Sequence, residues 1–245
     1  LQGHIVIEAV TAILAVDVFG HPADWPALER IAERHGLMLI DDSAEALGSS
    51  LAGRRCGSVG RAGVFGFYPN KQITTGEGGA VVTDDPELAE QCRSMADQGR
   101  GDGGWLHHVR LGYNYRMDEM SAALGLSQLR RIETIVADRA RVAAWYLRAL
   151  EDVEDVVVPQ VRDDVRMSWF VFVVRLIERF SRKDRDRILE GLRAQGIGCR
   201  NYFQPIHLQP YIRERPGTLP GQFPVTDAVA QRTIALPFYS QLREH

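Results

Sequence analysis

The sequence is almost without lysine. Of 29 basic residues only Lys71 and Lys183 are lysines; every other positive charge is an arginine. Cysteine is scarce too. Cys56, Cys92 and Cys199 are too few and too scattered for a disulfide framework or a zinc site, and they read as reduced thiols of a cytoplasmic protein. There is no basic excess: the net charge of -3 argues against a nucleic-acid partner held by bulk electrostatics. The arginines grouped over 130–148 and 179–187 stand among acids such as Glu133 and Asp138, as on solvated helix faces. The longest apolar run, WFVFVV at 169–174, is far too short to span a bilayer, so no membrane partner is expected. No charged-then-apolar leader precedes the first strand. The chain starts at Leu1 rather than Met, a first hint of something missing upstream.

What is present is ordinary for a soluble globular protein. The 245 residues are 45% hydrophobic and 25% charged, enough for one large domain or two smaller ones. The first part alternates strand and helix. Residues 11–19 form a β-rich run. Asp24 then caps a helix that ends at Gly36. LMLIDD at 37–42 reads as a strand buried on both faces. AGVFGFY and GGAVVTDD are two further strands, followed by a helix from Pro86 that stops before Gly99. This alternation predicts an α/β fold with a mostly parallel sheet and helices on both faces. The texture changes at the glycine-rich loop near Gly101. One long helix is expected from Met117 to about Leu150, a strand over MSWFVFVVRL, a helix capped by Ser181 and stopped by Gly196, and a strand over IGCRNYF. These define a smaller α+β domain with its boundary near 150.

Lys71 lies in the loop just beyond a predicted strand, ahead of TTGEGG, whose glycines permit tight turns and close approach of a ligand. Arginine stays protonated and is a poor nucleophile, whereas a desolvated lysine can lose its proton and attack an aldehyde. The alternative is an exposed loop lysine in a salt bridge. Asp42 ends a predicted strand, where α/β folds place ligand-binding groups, and a carboxylate there suits a protonated ring nitrogen. The alternative is a capping box, with Asp42 as N-cap and Glu45 reaching back.

In order along the chain stand VDVFGHPAD, IDDSAEALGS, FGFYPNKQITTGEGGAVVTDD, GYNYRMDEMSAALGLSQL and YFQPIHLQPY. This set resembles the DegT/StrS family of nucleotide-sugar aminotransferases, near its perosamine-synthase-like branch, and the resemblance covers nearly the whole chain. It implies the type I fold of pyridoxal phosphate-dependent aminotransferases, a homodimer, pyridoxal 5'-phosphate, and amino transfer, usually from glutamate, to a nucleotide-linked keto sugar. Under it, residues 1–150 are a partial large cofactor-binding domain with a long connecting helix. Residues 151–245 are an incomplete small domain.

The resemblance also implies site residues. Lys71 is the Schiff-base lysine and Asp42 the partner of the pyridine nitrogen. Glu45 stands where many members carry a glutamine near the ring hydroxyl. Asn114 resembles an asparagine that reaches the phosphate of the neighbouring subunit, a role Arg116 fills in another alignment. Tyr68 and His207 fall where the sugar site is lined, although a structural, hydrogen-bonded role is as good a reading of His207. Gly66 departs from the pattern, since a phosphate-binding serine is common five residues before the lysine. Relative to family members the chain is short at both ends and reads as a fragment. A dehydratase of the same family is disfavoured, because that branch replaces the lysine with histidine. An aminocyclitol-forming aminotransferase, or a catalytically incomplete remnant acting as a binding or regulatory partner, are the rival readings.

Overall fold

The computed structural model describes residues 10–214 and 221–244. In chain order the elements are β1 (Ala12–Val16), α1 (Trp25–His35), β2 (Met38–Asp42), β3 (Ser50–Leu51), β4 (Arg54–Arg55), β5 (Ala62–Gly66), β6 (Gly79–Val82) and α2 (Pro86–Ala96). There follow α3 (Glu119–Leu129), α4 (Ile132–Ala149), β7 (Val156–Val157), β8 (Val165–Arg166) and β9 (Phe172–Leu176). The chain ends with α5 (Arg182–Ala194), α6 (Pro210–Arg213), α7 (Pro224–Ala230) and β10 (Thr233–Leu236). They build two compact units. One holds residues 10–138 and 161–170; the other holds 139–160 and the described residues from 171 onward.

The first unit is organised by a sheet of order β1-β2-β5-β6, in which β1, β2 and β5 run parallel and β6 antiparallel. Its helices start and stop where their chemistry dictates. Asp24 accepts from Ala27 N–H to cap α1, and Gly36 ends it in the left-handed conformation at φ 64. Asp85 accepts from Glu87 and Leu88 N–H to open α2, with Pro86 in the first turn. Trp25, Leu51 and Val59 form a buried cluster against Ala15, Leu28 and Val165, which joins α1 to the small antiparallel sheet β4-β3-β8. On β2, Leu39 and Asp41 are buried, Met38 is exposed, and Ile40 and Asp42 are half-buried. The burial expected on both faces of this strand is therefore reached on one face. The pleat puts Asp41 with Leu39 in the core and Asp42 on the other side.

Three sequence expectations are corrected. The single helix expected from Met117 is two helices, broken at Arg130–Arg131 without glycine or proline. The break follows Gln128, whose side chain turns aside to accept from Thr74 N–H at 3.2 Å and donate to Thr74 C=O at 2.6 Å. The strand expected over 167–176 begins only at Phe172. Residues up to Phe170 belong to the first unit, where Phe170 N–H donates to Phe19 C=O at 3.0 Å. IGCRNYF forms no strand: only Arg200 bridges, to Ala235, while the guanidinium of Arg193 takes the carbonyl of Cys199.

In the second unit β9 is the centre of the antiparallel sheet β10-β9-β7. Phe172, Val174 and Leu176 alternate into its core with Leu189 and Ile234. Tyr146 stacks on Phe172 at 4.8 Å and donates to Pro237 C=O at 2.7 Å. A capping box of Ser181 and Asp184 opens α5. Among the described residues no helix is long and apolar enough to cross a membrane, and no cluster of side chains has the makeup of a metal site.

Candidate active site

The parallel register places Val16 beside Asp42 and Asp42 beside Val64. The carboxyl ends of β1, β2 and β5 therefore lie along one edge, the side on which α/β sheets bind ligands. The loop after β5 leaves from that edge. It is tied to itself: Phe67 N–H donates to Gly78 C=O at 2.9 Å, Thr75 N–H to Phe67 C=O at 3.0 Å, and Lys71 N–H to Tyr68 C=O at 3.0 Å. Gly78 closes it at φ 138, where a side chain would be strained and a Cβ would meet Thr75 Oγ1 at 2.7 Å. Gln128 brackets Thr74 from α3. The loop carrying Lys71 is thus held at both of its sides by hydrogen bonds.

The Lys71 amine is not a free surface group. Its side chain is 15% exposed, Nζ is 3.5 Å from Glu45 Oε1, and Nζ lies 4.3 Å from the centre of the Phe170 ring. Glu45 Oε2 accepts Phe19 N–H at 2.8 Å, and Phe19 C=O accepts Phe170 N–H. Phe19 thus holds both partners of the amine through its own peptide groups, from a backbone turned to φ 62. Next along the chain, Gln72 donates through Nε2 to Glu45 C=O at 2.5 Å and to Ser168 Oγ at 2.7 Å. The buried Gln72 Oε1 has no hydrogen-bond partner among the described residues.

Asp42 does not cap a helix, because none follows it; its Oδ1 accepts Ala44 N–H at 3.1 Å. Glu45 does not reach back to it but faces Lys71 and Phe19. The capping-box reading of this stretch is therefore set aside. Tyr68 is 51% exposed in the Lys71 loop. Asn114 is exposed and bridges by its backbone to Asp97, while Arg116 pairs with Asp97 at 2.5 Å. His207 belongs to the second unit, where Nε2 meets Asp227 Oδ1 at 2.7 Å and the ring packs on Phe223. The sequence reading missed Phe19, Gln72, Gln128 and Phe170. Their signal was weak because each acts across a long chain separation, and only Gln72 adjoins the lysine.

A primary amine held out of bulk water, beside one carboxylate and on the same sheet edge as another, suits an aldehyde-bearing cofactor with a basic ring nitrogen. Pyridoxal phosphate fits this donor set, and the unpaired Gln72 Oε1 is a further polar group buried next to the amine.

An open, mostly parallel sheet with a lysine-bearing loop at its carboxyl edge is the architecture of the type I aminotransferase fold. The chain belongs to the DegT/DnrJ/EryC1/StrS aminotransferase family, whose pattern it matches over residues 4–245. It is 37% identical over 207 residues to GDP-perosamine synthase of Caulobacter vibrioides, covering 84% of this chain and 56% of that protein. It is 38% identical to the erythromycin biosynthesis sensory transduction protein EryC1 of Saccharopolyspora erythraea, covering 97% of this chain and 64% of that one. The crystal structure of S. venezuelae DesV in complex with a ketimine intermediate superposes with a TM-score of 0.86 at 36% identity, over 95% of this chain and 61% of that chain. The chain spans 64% of the length of several curated relatives.

Proposed function

We propose that the chain carries the catalytic lysine of a pyridoxal phosphate-dependent aminotransferase that moves an amino group, from glutamate, to a nucleotide-linked keto sugar. The observation that carries this is the setting of Lys71: a half-buried amine between Glu45 and Phe170, on a braced glycine loop at the sheet edge that also bears Asp42.

When bound, the cofactor supplies an aldehyde that condenses with amines and a ring that accepts the electrons released from a substrate carbon. The residues do the rest. Lys71 would hold the cofactor through its aldehyde carbon, and with its amine free it would serve as general base and acid for the proton on the substrate carbon that bears nitrogen. Asp42 holds positive charge on the ring nitrogen. Glu45 keeps the Lys71 side chain turned toward the site, and Phe170 shields one side of it from water. Tyr68, exposed beside Lys71, is assigned to the sugar. Asn114 lies between Tyr113 and Tyr115, whose rings stack at 5.0 Å, in a surface where Leu111, Tyr115 and Met120 are 79%, 73% and 84% exposed. Such an apolar surface supports a homodimer in which Asn114 serves the neighbouring subunit.

The test is a half-reaction. Protein loaded with pyridoxal phosphate and given glutamate should accumulate pyridoxamine phosphate and 2-oxoglutarate. Unchanged cofactor with every amino donor tried would reject the reading.

A further inference from the structure

Asp17, Asp41 and Ser43 lie wholly buried at the carboxyl ends of β1 and β2. Ser43 Oγ is 2.6 Å from Asp41 Oδ1 and 2.9 Å from Asp17 Oδ2. A hydroxyl has one proton to give, so it can satisfy one of these carboxylate oxygens but not both. Away from water, a further proton on one of the acids satisfies the other, and the Cys56 thiol is a second, weaker donor in reach of Asp17. The remaining oxygens decide which acid carries it. Asp17 Oδ1 accepts twice, from Ala23 N–H at 2.8 Å and Trp25 Nε1–H at 3.0 Å, an arrangement that favours a charged carboxylate. Asp41 Oδ2 accepts only Gly57 N–H, at 2.6 Å, which leaves Oδ1 free to carry a proton toward Ser43.

We propose that on the acid side of neutrality Asp41 is a neutral acid that donates to Ser43 Oγ, that Ser43 donates in turn to ionised Asp17, and that this chain fixes the end of β2 presenting Asp42, making Asp17 and Asp41 positioning residues for the cofactor. The placement is direct. Asp41 and Ser43 are the two chain neighbours of Asp42, and the carbonyl of Asp42 accepts Asp17 N–H at 3.0 Å. Besides its pairing with Val64 and the Ala44 N–H bond to Oδ1, Asp42 is thus held through three residues of the shared-proton chain, while its side chain points to the opposite face. The positioning role rests on the reading of Asp42 given above; the shared proton does not.

Burial, reinforced by the charge of Asp17, pushes the Asp41 carboxyl from 3.8 up to about 6. Among the described residues the other titratable group facing the pair is the thiol of Cys56, pushed up by burial and by the two acids and so neutral. Ser43, the Trp25 indole and the Gly57 amide do not titrate in this range. Because the folded value of Asp41 lies above its unfolded one, its contribution to stability is complete below 3.8 and lost as pH rises through about 6. Asp85, Asp118 and Asp184 are shifted the other way, by hydrogen bonds to their ionised forms, so their contributions fade only at lower pH.

The test compares the protein with Asp41→Asn, an amide that reproduces the neutral acid by donating to Ser43 and accepting from Gly57. Infrared difference spectra between about pH 5 and about pH 8 should show a protonated-carboxyl band in the wild type that Asp41→Asn lacks and Asp42→Asn retains. The melting temperature of the wild type should fall by several degrees relative to Asp41→Asn across that range. Retention of pyridoxal phosphate should weaken over the same range in the wild type, stay flat in Asp41→Asn, and be low throughout in Asp41→Ala. Parallel melting profiles with no band assignable to Asp41 would overturn the shared proton. If the band is present but cofactor retention has the same pH profile in wild type and Asp41→Asn, the positioning role is wrong. Undiminished retention and turnover in Asp42→Asn would instead reject the reading of Asp42.

Discussion

Lys71 and Glu45 form an ion pair of 3.5 Å whose carboxylate is also the acceptor for Phe19 N–H. The pair fixes where the amine sits beside the sheet edge. Glu45→Gln keeps an acceptor for Phe19 and removes the charge. Removing a partly buried pair worth about 1 kcal/mol should lower the melting temperature by about 2–4 °C. Calorimetry would measure it. An unchanged melting temperature would mean that the pair places the lysine without stabilising the fold.

The second lysine supplies an internal control. Borohydride reduction of protein incubated with pyridoxal phosphate, followed by peptide mapping, should place the pyridoxyl group on Lys71. Lys183 sits in the first turn of α5, and label there in place of Lys71 would sink the assignment. Lys71→Arg should abolish both labelling and turnover while the fold survives, since arginine keeps the charge facing Glu45 but offers no nucleophile.

Asp42→Asn separates chemistry from stability. Asn can still accept Ala44 N–H, the one side-chain hydrogen bond of Asp42 seen in the structure, so unfolding free energy should change by no more than about 0.5 kcal/mol. Turnover should fall by orders of magnitude, because an amide cannot hold a positive ring nitrogen. Comparable turnover in the two proteins, at equal cofactor loading, would remove Asp42 from the site.

Much of this was legible in the sequence, for physical reasons that differ by residue. The helices α1, α2 and α5 announce themselves through local chemistry: Asp24 and Ser181 as caps, Pro86 in the first turn, and Gly36 at a positive φ. Lys71 stood out because the rest of the chain writes positive charge as arginine. The break between α3 and α4 was not legible, since the helical pattern is continuous and no glycine or proline marks Arg130–Arg131. Nor was the split of MSWFVFVVRL. Its alternation looks like one strand, but the hydrogen bonds of Ser168 and Phe170 to Gln72 and Phe19 bind its first half to the other unit. The pair Asp41–Asp42 illustrates the limit most clearly. Two adjacent aspartates look alike in sequence, and the pleat of β2 sends one into the core and leaves the other for the site.

Gly66 provides the last test. A serine there would be the usual partner for the cofactor phosphate in sequences this chain resembles, and the structure has room for one. Gly66 has an ordinary backbone conformation, and a Cβ would meet Ala44 Cβ at 3.5 Å and Lys71 Cε at 3.6 Å, both normal contacts. Gly66→Ser therefore adds a hydroxyl beside the lysine without displacing anything. A hydrogen bond to a charged phosphate contributes roughly 1.5–3 kcal/mol, which predicts pyridoxal phosphate binding about ten- to a hundredfold tighter. Gly66→Ala is the control: it fills the same space, stiffens the unfolded chain alike, and offers no donor. Equilibrium titration by absorbance should tighten for serine and not for alanine. Equal affinities for all three proteins would show that the phosphate does not lie against the end of β5, and the placement of the cofactor along the sheet edge would have to be revised.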